Sequence, residues 1–77
     1  MSLPKAVELT TVVANRMTTH MTDNEVEALA LTAAALSDRE VARTVCESLL
    51  GVLSGRIADY DEYNAVCARV WAAFTAH

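Results

Sequence analysis

Residues 21–45 read MTDNEVEALALTAAALSDREVARTV. Two helix starts are written into this stretch. In Thr22-Asp23-Asn24-Glu25 a hydroxyl can accept the amide three residues on, while the Glu answers the cap's own N–H, the reciprocal pair of a capping box. Ser37-Asp38-Arg39-Glu40 repeats the pattern. Between the two, Val26, Leu29, Ala30, Ala33 and Leu36 recur at helical spacing. After the second start Val41, Val45, Leu49, Val52 and Leu53 do the same, and Cys46 with Leu50 widens the stripe.

Working outward, Gly55 after Ser54 is a stop signal, and Asp59-Tyr60-Asp61-Glu62 is a third, looser capping box with Asp as the cap. The following segment places Tyr63, Val66, Cys67, Val70, Trp71 and Phe74 on one broad face. Upstream, Pro4 suits a first helical position, with Ser2 or Leu3 before it. Ala6, Leu9, Val13 and Met17 line up behind it with Val12 alongside, although the β-branched run Thr10-Thr11-Val12-Val13 weakens that helix. These signals predict four helices, at about 4–18, 23–36, 38–54 and 60–76. No internal repeat, linker or low-complexity tract interrupts them. The expected fold is all-α, one domain over residues 1–77, a compact bundle of four short helices completed by dimerisation.

Composition agrees. Of the 77 residues 53% are hydrophobic, which excludes intrinsic disorder. Two Gly and one Pro are too few for the reversals of a β-sandwich or barrel, whereas fourteen Ala and eight Leu favour helices. Six Lys and Arg against ten Asp and Glu give a net charge of −4. The cations Lys5, Arg16, Arg39, Arg43, Arg56 and Arg69 are scattered, which disfavours both nucleic acid and a basic membrane-surface helix as partners. The longest uncharged window, Ala28 to Ser37, is far short of a membrane span, and no signal peptide is visible, so the expected location is cytoplasmic.

The chemistry-bearing residues are sparse. Cys46 and Cys67 each sit in an apolar helical pattern and read as reduced, buried thiols. A zinc site would need two more clustered ligands, which His20 and His77 do not supply. Asp59, Asp61 and Glu62 with Asn64 fail as a calcium loop, because the required Gly is absent and the twelfth position is Val70. They read instead as caps with favourable charge at a helix N-terminus. Glu25 is claimed by its capping box, Glu27 falls on the far side from Val26, Leu29 and Ala33 and reads as solvated, and His20 reads as a surface loop residue. No nucleophile elbow, phosphate loop or zinc-protease motif is present. The chain is expected not to be an enzyme, with no catalytic, cofactor-binding or metal-binding residues and no cofactor.

The stretch quoted at the outset, extended to Val52, resembles the first half of a LuxR-type helix-turn-helix domain. Thr22, Glu25, Glu27, Leu29, Leu31, Leu36, Ser37, Arg39, Glu40, Val41 and Ala42 stand where that pattern wants them, and Ser48 and Val52 match the cap and core Val of its recognition helix. The resemblance implies a DNA-binding transcriptional regulator. The recognition segment itself departs from the pattern: Ser48 to Gly55 carries two glycines and no basic residue before Arg56, and Leu49, Leu50 and Leu53 suit burial better than a groove.

The apolar faces of the last two helices are wider than one small bundle needs. The expected function is therefore a protein–protein interaction module (an adaptor, assembly factor or small regulator), acting as a homodimer or with another protein. Its candidate interface is Leu49, Leu53, Tyr63, Val66, Val70, Trp71 and Phe74, with Trp71 as anchor. The alternative is a degenerate LuxR-like regulator binding DNA.

Overall fold

The computed structural model describes residues 13–77. Among them the chain is all-helical, with no strand: a helical segment over 13–17 (α1), α2 over Asp23–Ala34, α3 over Arg39–Ser54 and α4 over Tyr60–Ala76. The expected start of the first helix, with Pro4, Ala6, Leu9 and Val12, lies outside the described residues.

Each later helix begins on an acceptor side chain. Thr22 and Glu25 form the full capping box, Thr22 Oγ1 accepting from the Glu25 amide at 3.2 Å and Glu25 Oε1 from the Thr22 amide at 3.0 Å. At α3 the cap is Asp38, one residue later than Ser37: its Oδ1 accepts from the Glu40 and Val41 amides, both at 3.1 Å. A carboxylate there satisfies two orphan amides and also meets the positive end of the helix dipole, which a serine hydroxyl cannot do. Asp59 caps α4 in the same way, accepting from Asp61 and Glu62. Gly55 does end α3, but in right-handed geometry, with the Gly55 amide bonded to the Val52 carbonyl and that of Arg56 to Leu53.

The core is built on an alanine-rich seam. Val26, Ala30, Ala33 and Ala34 of α2 are buried, and α2 packs most extensively on α3 and then on α4. Small side chains let the axes approach closely. Cys46 Sγ of α3 reaches the Ala30 carbonyl of α2 at 3.5 Å. Leu36, expected on this face, is exposed because α2 stops at Ala34 with Ala35 as its C-cap.

On α3 the buried row is Ala42, Cys46, Leu49, Leu50 and Leu53, with Val52 beside it. The periodicity of the sequence fitted a face through Val41 and Val45 equally well. Burial is centred about one residue round instead, so Val45 is half-buried and Val41 stands 47% exposed. The small Ala42 and Cys46 side chains, which hydropathy alone ranks below valine, are what fit against the alanine seam.

Candidate interaction surface

The seven residues expected to form an interface are divided by the fold. Leu49, Leu53, Val66 and Val70 are at most 4% exposed and belong to the core of the single chain. Their sequence pattern suggests surplus apolar surface because the faces of α3 and α4 are broad. The short, small-residue α2 leaves room for both, which corrects that part of the expectation. Tyr63, Trp71 and Phe74 are half-buried along the adjoining row of α4. Trp71 and Phe74 meet edge to face, ring centroids 5.6 Å apart. The Tyr63 hydroxyl donates to the Leu50 carbonyl at 3.1 Å. Burial, together with the neighbouring Cys67, pushes its pKa up to about 12.

Four cations, Arg39, Arg43, Arg56 and Arg69, are engaged within the chain. Arg39 lies over the Phe74 ring, 4.2 Å from its centroid, and donates through Nη1 to the carbonyls of Ala34 (3.0 Å) and Leu36 (3.1 Å) and through Nη2 to that of Phe74. One guanidinium thus collects orphan carbonyls from the ends of α2 and α4, which carry no basic residue in their last turns. Arg56 does the same for the α1–α2 turn, donating to Met21 at 2.8 Å and Thr18 at 2.6 Å, with Asp23 Oδ1 at 3.8 Å. Arg69 binds Glu27 through two bonds of 2.7 and 2.9 Å, tying α4 to α2. That Glu27 side chain is only 15% exposed, not solvated as expected, and the ion pair holds its carboxyl below the usual range. Arg43 pairs with Glu47 on the surface of α3 at 3.1 Å.

Cys46 is buried, and burial pushes its thiol up; Cys67 is half-buried rather than buried, because it sits on the outer row of α4. Neither is in a disulfide. Asp59 caps α4 and Glu25 completes the capping box, whose bonds to Thr22 lower its carboxyl. His20 is exposed in the α1–α2 turn. Among the described residues no group of three or more His, Cys, Asp or Glu side chains could hold a metal ion, and no helix is long and apolar enough to cross a membrane.

One surface was missed by sequence reasoning. Val13, Ala14, Met17 and Thr18 of the first helix and its turn, with Leu29 of α2 and Val45, Ser48 and Leu49 of α3, line an open apolar groove of about 300 Å³. Its two polar lining groups are already satisfied by their own helices, Thr18 by Ala14 and Ser48 by Thr44. Val13 is 55% and Met17 67% exposed on its wall. Beyond Val45 the surface continues into a shallower depression bordered by Asp38, Glu40, Val41 and Thr44. The available signal was the competition between the Val41–Val45 and Ala42–Cys46 rows: whichever row packs inward leaves the other outside. Compared with known protein families, curated proteins and solved structures, the chain finds no match.

Proposed function

We propose that this chain is a non-enzymatic protein–protein interaction module of the cytoplasm, acting as a homodimer or with another protein. The observation that carries the reading is the apolar surface running from Met17 and Val13 across Leu29 to Val45 and Val41. Contiguous apolar surface of this kind is uncommon on a soluble monomer and marks a contact site. The half-buried Tyr63, Trp71 and Phe74 of α4 form a second, smaller patch, already partly used by Arg39 and Leu50. The ionisable groups support a binding role over catalysis, since Glu25, Asp38 and Asp59 serve as caps and Glu27 and Glu47 as ion-pair partners.

DNA binding is the second reading, favoured by the short turn between two capped helices, α2 and α3. It has weaker support. Arg39 and Arg56 spend their donors on backbone carbonyls, and Leu49, Leu50 and Leu53 of the would-be recognition helix are core. Duplex DNA at low salt should give no mobility shift up to micromolar protein, whereas a steeply salt-dependent, sequence-selective complex would favour the regulator.

The test of the interaction reading is the native mass of the tagged chain recovered from cells under mild conditions. A discrete species heavier than one chain supports it. Recovery as a single chain at all concentrations overturns it.

A further inference from the structure

We infer that α4 is a strap that opens as a unit while α1, α2 and α3 stay packed, uncovering an apolar row that the closed form hides. The helices are unequally buried. Two of the 17 residues of α4 are buried, Val66 and Val70, against seven of 16 in α3 and four of 12 in α2. An element with few buried apolar side chains opens at a lower free energy than the whole chain unfolds.

Three polar clasps, spread along α4, fasten it beyond that row. Near its start the Tyr63 hydroxyl donates to the Leu50 carbonyl of α3 at 3.1 Å. In its middle Arg69, 55% exposed, binds Glu27 of α2 through bonds of 2.7 and 2.9 Å. At its end Arg39, the first residue of α3, donates to the Phe74 carbonyl and lies over the Phe74 ring. At about 100° per residue, Tyr63 and Phe74 fall on one flank of the Val66–Val70 row and Arg69 on the other. The strap is thus held on both sides. No clasp is fully buried, so water can replace its bonds as it opens.

The other helices are tied to one another without α4. Cys46 Sγ of α3 meets the Ala30 carbonyl of α2 at 3.5 Å inside the alanine seam. Arg56, just beyond α3, donates to the Thr18 and Met21 carbonyls and pins the α1–α2 turn. Opening of α4, which residues 55–59 join to α3, breaks the three clasps and leaves these contacts standing. It also uncovers Val66 and Val70, at most 4% exposed in the closed form. The chain thereby holds a second apolar contact surface, separate from the α1–α3 band, whose availability depends on conformation.

Native-state hydrogen exchange of the whole chain in low urea, followed residue by residue by NMR, tests this. The amides from Val66 to Val70 are expected to exchange at least about 10-fold faster than those from Leu49 to Leu53, with a weaker urea dependence because less surface is exposed. Variants separate strap opening from global unfolding. Arg56→Ala removes a contact that the open form keeps, so it should speed the α3 amides by about 10-fold and leave the α4 amides unchanged. Arg56→Lys, a milder change that keeps the charge, should show the same selectivity at about 3-fold. Tyr63→Phe removes a clasp that is lost in the open and the unfolded forms alike, so it should speed both sets equally, by about 5-fold. One protection factor and one urea dependence for both helices, or an Arg56 variant that speeds both sets alike, overturns the strap and makes the chain a single cooperative unit.

Discussion

Two apolar bands run along this molecule, and they differ in what lies opposite them. The α4 band is the richer, holding Trp71, Phe74 and Tyr63 beside Val66 and Val70, yet its inner row is fully covered and its outer row is braced by Arg39 and the Leu50 carbonyl. The α1–α3 band is built mainly from Val13, Met17, Leu29, Val41 and Val45, and among the described residues it stays open as a groove. The lesson is that the size of an apolar face does not locate an interface. What matters is whether the rest of the chain supplies a complementary surface, and here the alanine seam of α2 supplies one to α4 and to the inner row of α3.

The largest effect that distinguishes the bands is a core deletion. Leu53 is fully buried, so Leu53→Ala is expected to cost about 3–4 kcal/mol in urea unfolding. Val41→Ala, on the other band, should cost less than about 0.5 kcal/mol in dilute solution. Equal costs would break the distinction.

Next is the brace. Arg39→Ala strips three carbonyls of their donor and Phe74 of its cation, with an expected loss of about 2–3 kcal/mol. Arg39→Lys should recover only part of this, since an ammonium lacks the planar fork. Full recovery would mean that charge alone holds the end of α4.

A smaller effect appears in alkali. Tyr63 holds its proton to about pH 12 when folded, against about 10 when unfolded. The folded state therefore binds the proton more tightly. The stability this lends is complete below about pH 10 and is lost as pH rises toward 12. Cys46, raised in the same direction, adds to the slope from lower pH. Tyr63→Phe should flatten the decline between pH 10 and 12 while removing the bond to Leu50, worth about 1 kcal/mol. An unchanged slope would contradict the assignment.

The smallest predicted effect is on the acid side. Glu27 is depressed by Arg69, so its contribution is present above the unfolded carboxylate pKa and fades as pH falls through the lower folded value. With Arg69 55% exposed, solvent screens the pair and its contribution is small, which a double-mutant cycle with Arg69→Ala and Glu27→Ala can resolve. The two thiols give a kinetic version of the comparison. A polar maleimide should label Cys67 well before Cys46, since Cys46 must wait for opening of the α2–α3 seam.

Much of the architecture was legible because capping is local chemistry. Thr22, Glu25 and Asp59 act as their spacing indicates, and the helical faces of α2 and α4 fall largely where the apolar periodicity puts them. What was not legible depends on tertiary fit. Ser37 and Asp38 are both competent caps, and only the turn after Ala35 selects the second. Val41 and Ala42 belong to overlapping stripes of one helix, and hydropathy favours the valine, whereas the fold buries Ala42 and Cys46, whose Sγ meets the Ala30 carbonyl. The long-range roles of Arg39 and Arg56 had no signal at all, because a carbonyl acceptor leaves no mark in the sequence. Taking the breadth of the α3 and α4 faces as surplus is what places the expected interface on Leu49, Leu53, Val66 and Val70, which the fold buries within the single chain.

The most direct test of the apolar α1–α3 band as a contact between copies of the chain is the dependence of the thermal midpoint on protein concentration. A chain that dimerises through this band should melt about 5 °C or more higher when its concentration rises 100-fold, because association stabilises the folded state by mass action. In Val41→Asp the midpoint should be flat over the same range. A wild-type midpoint independent of concentration would contradict the account.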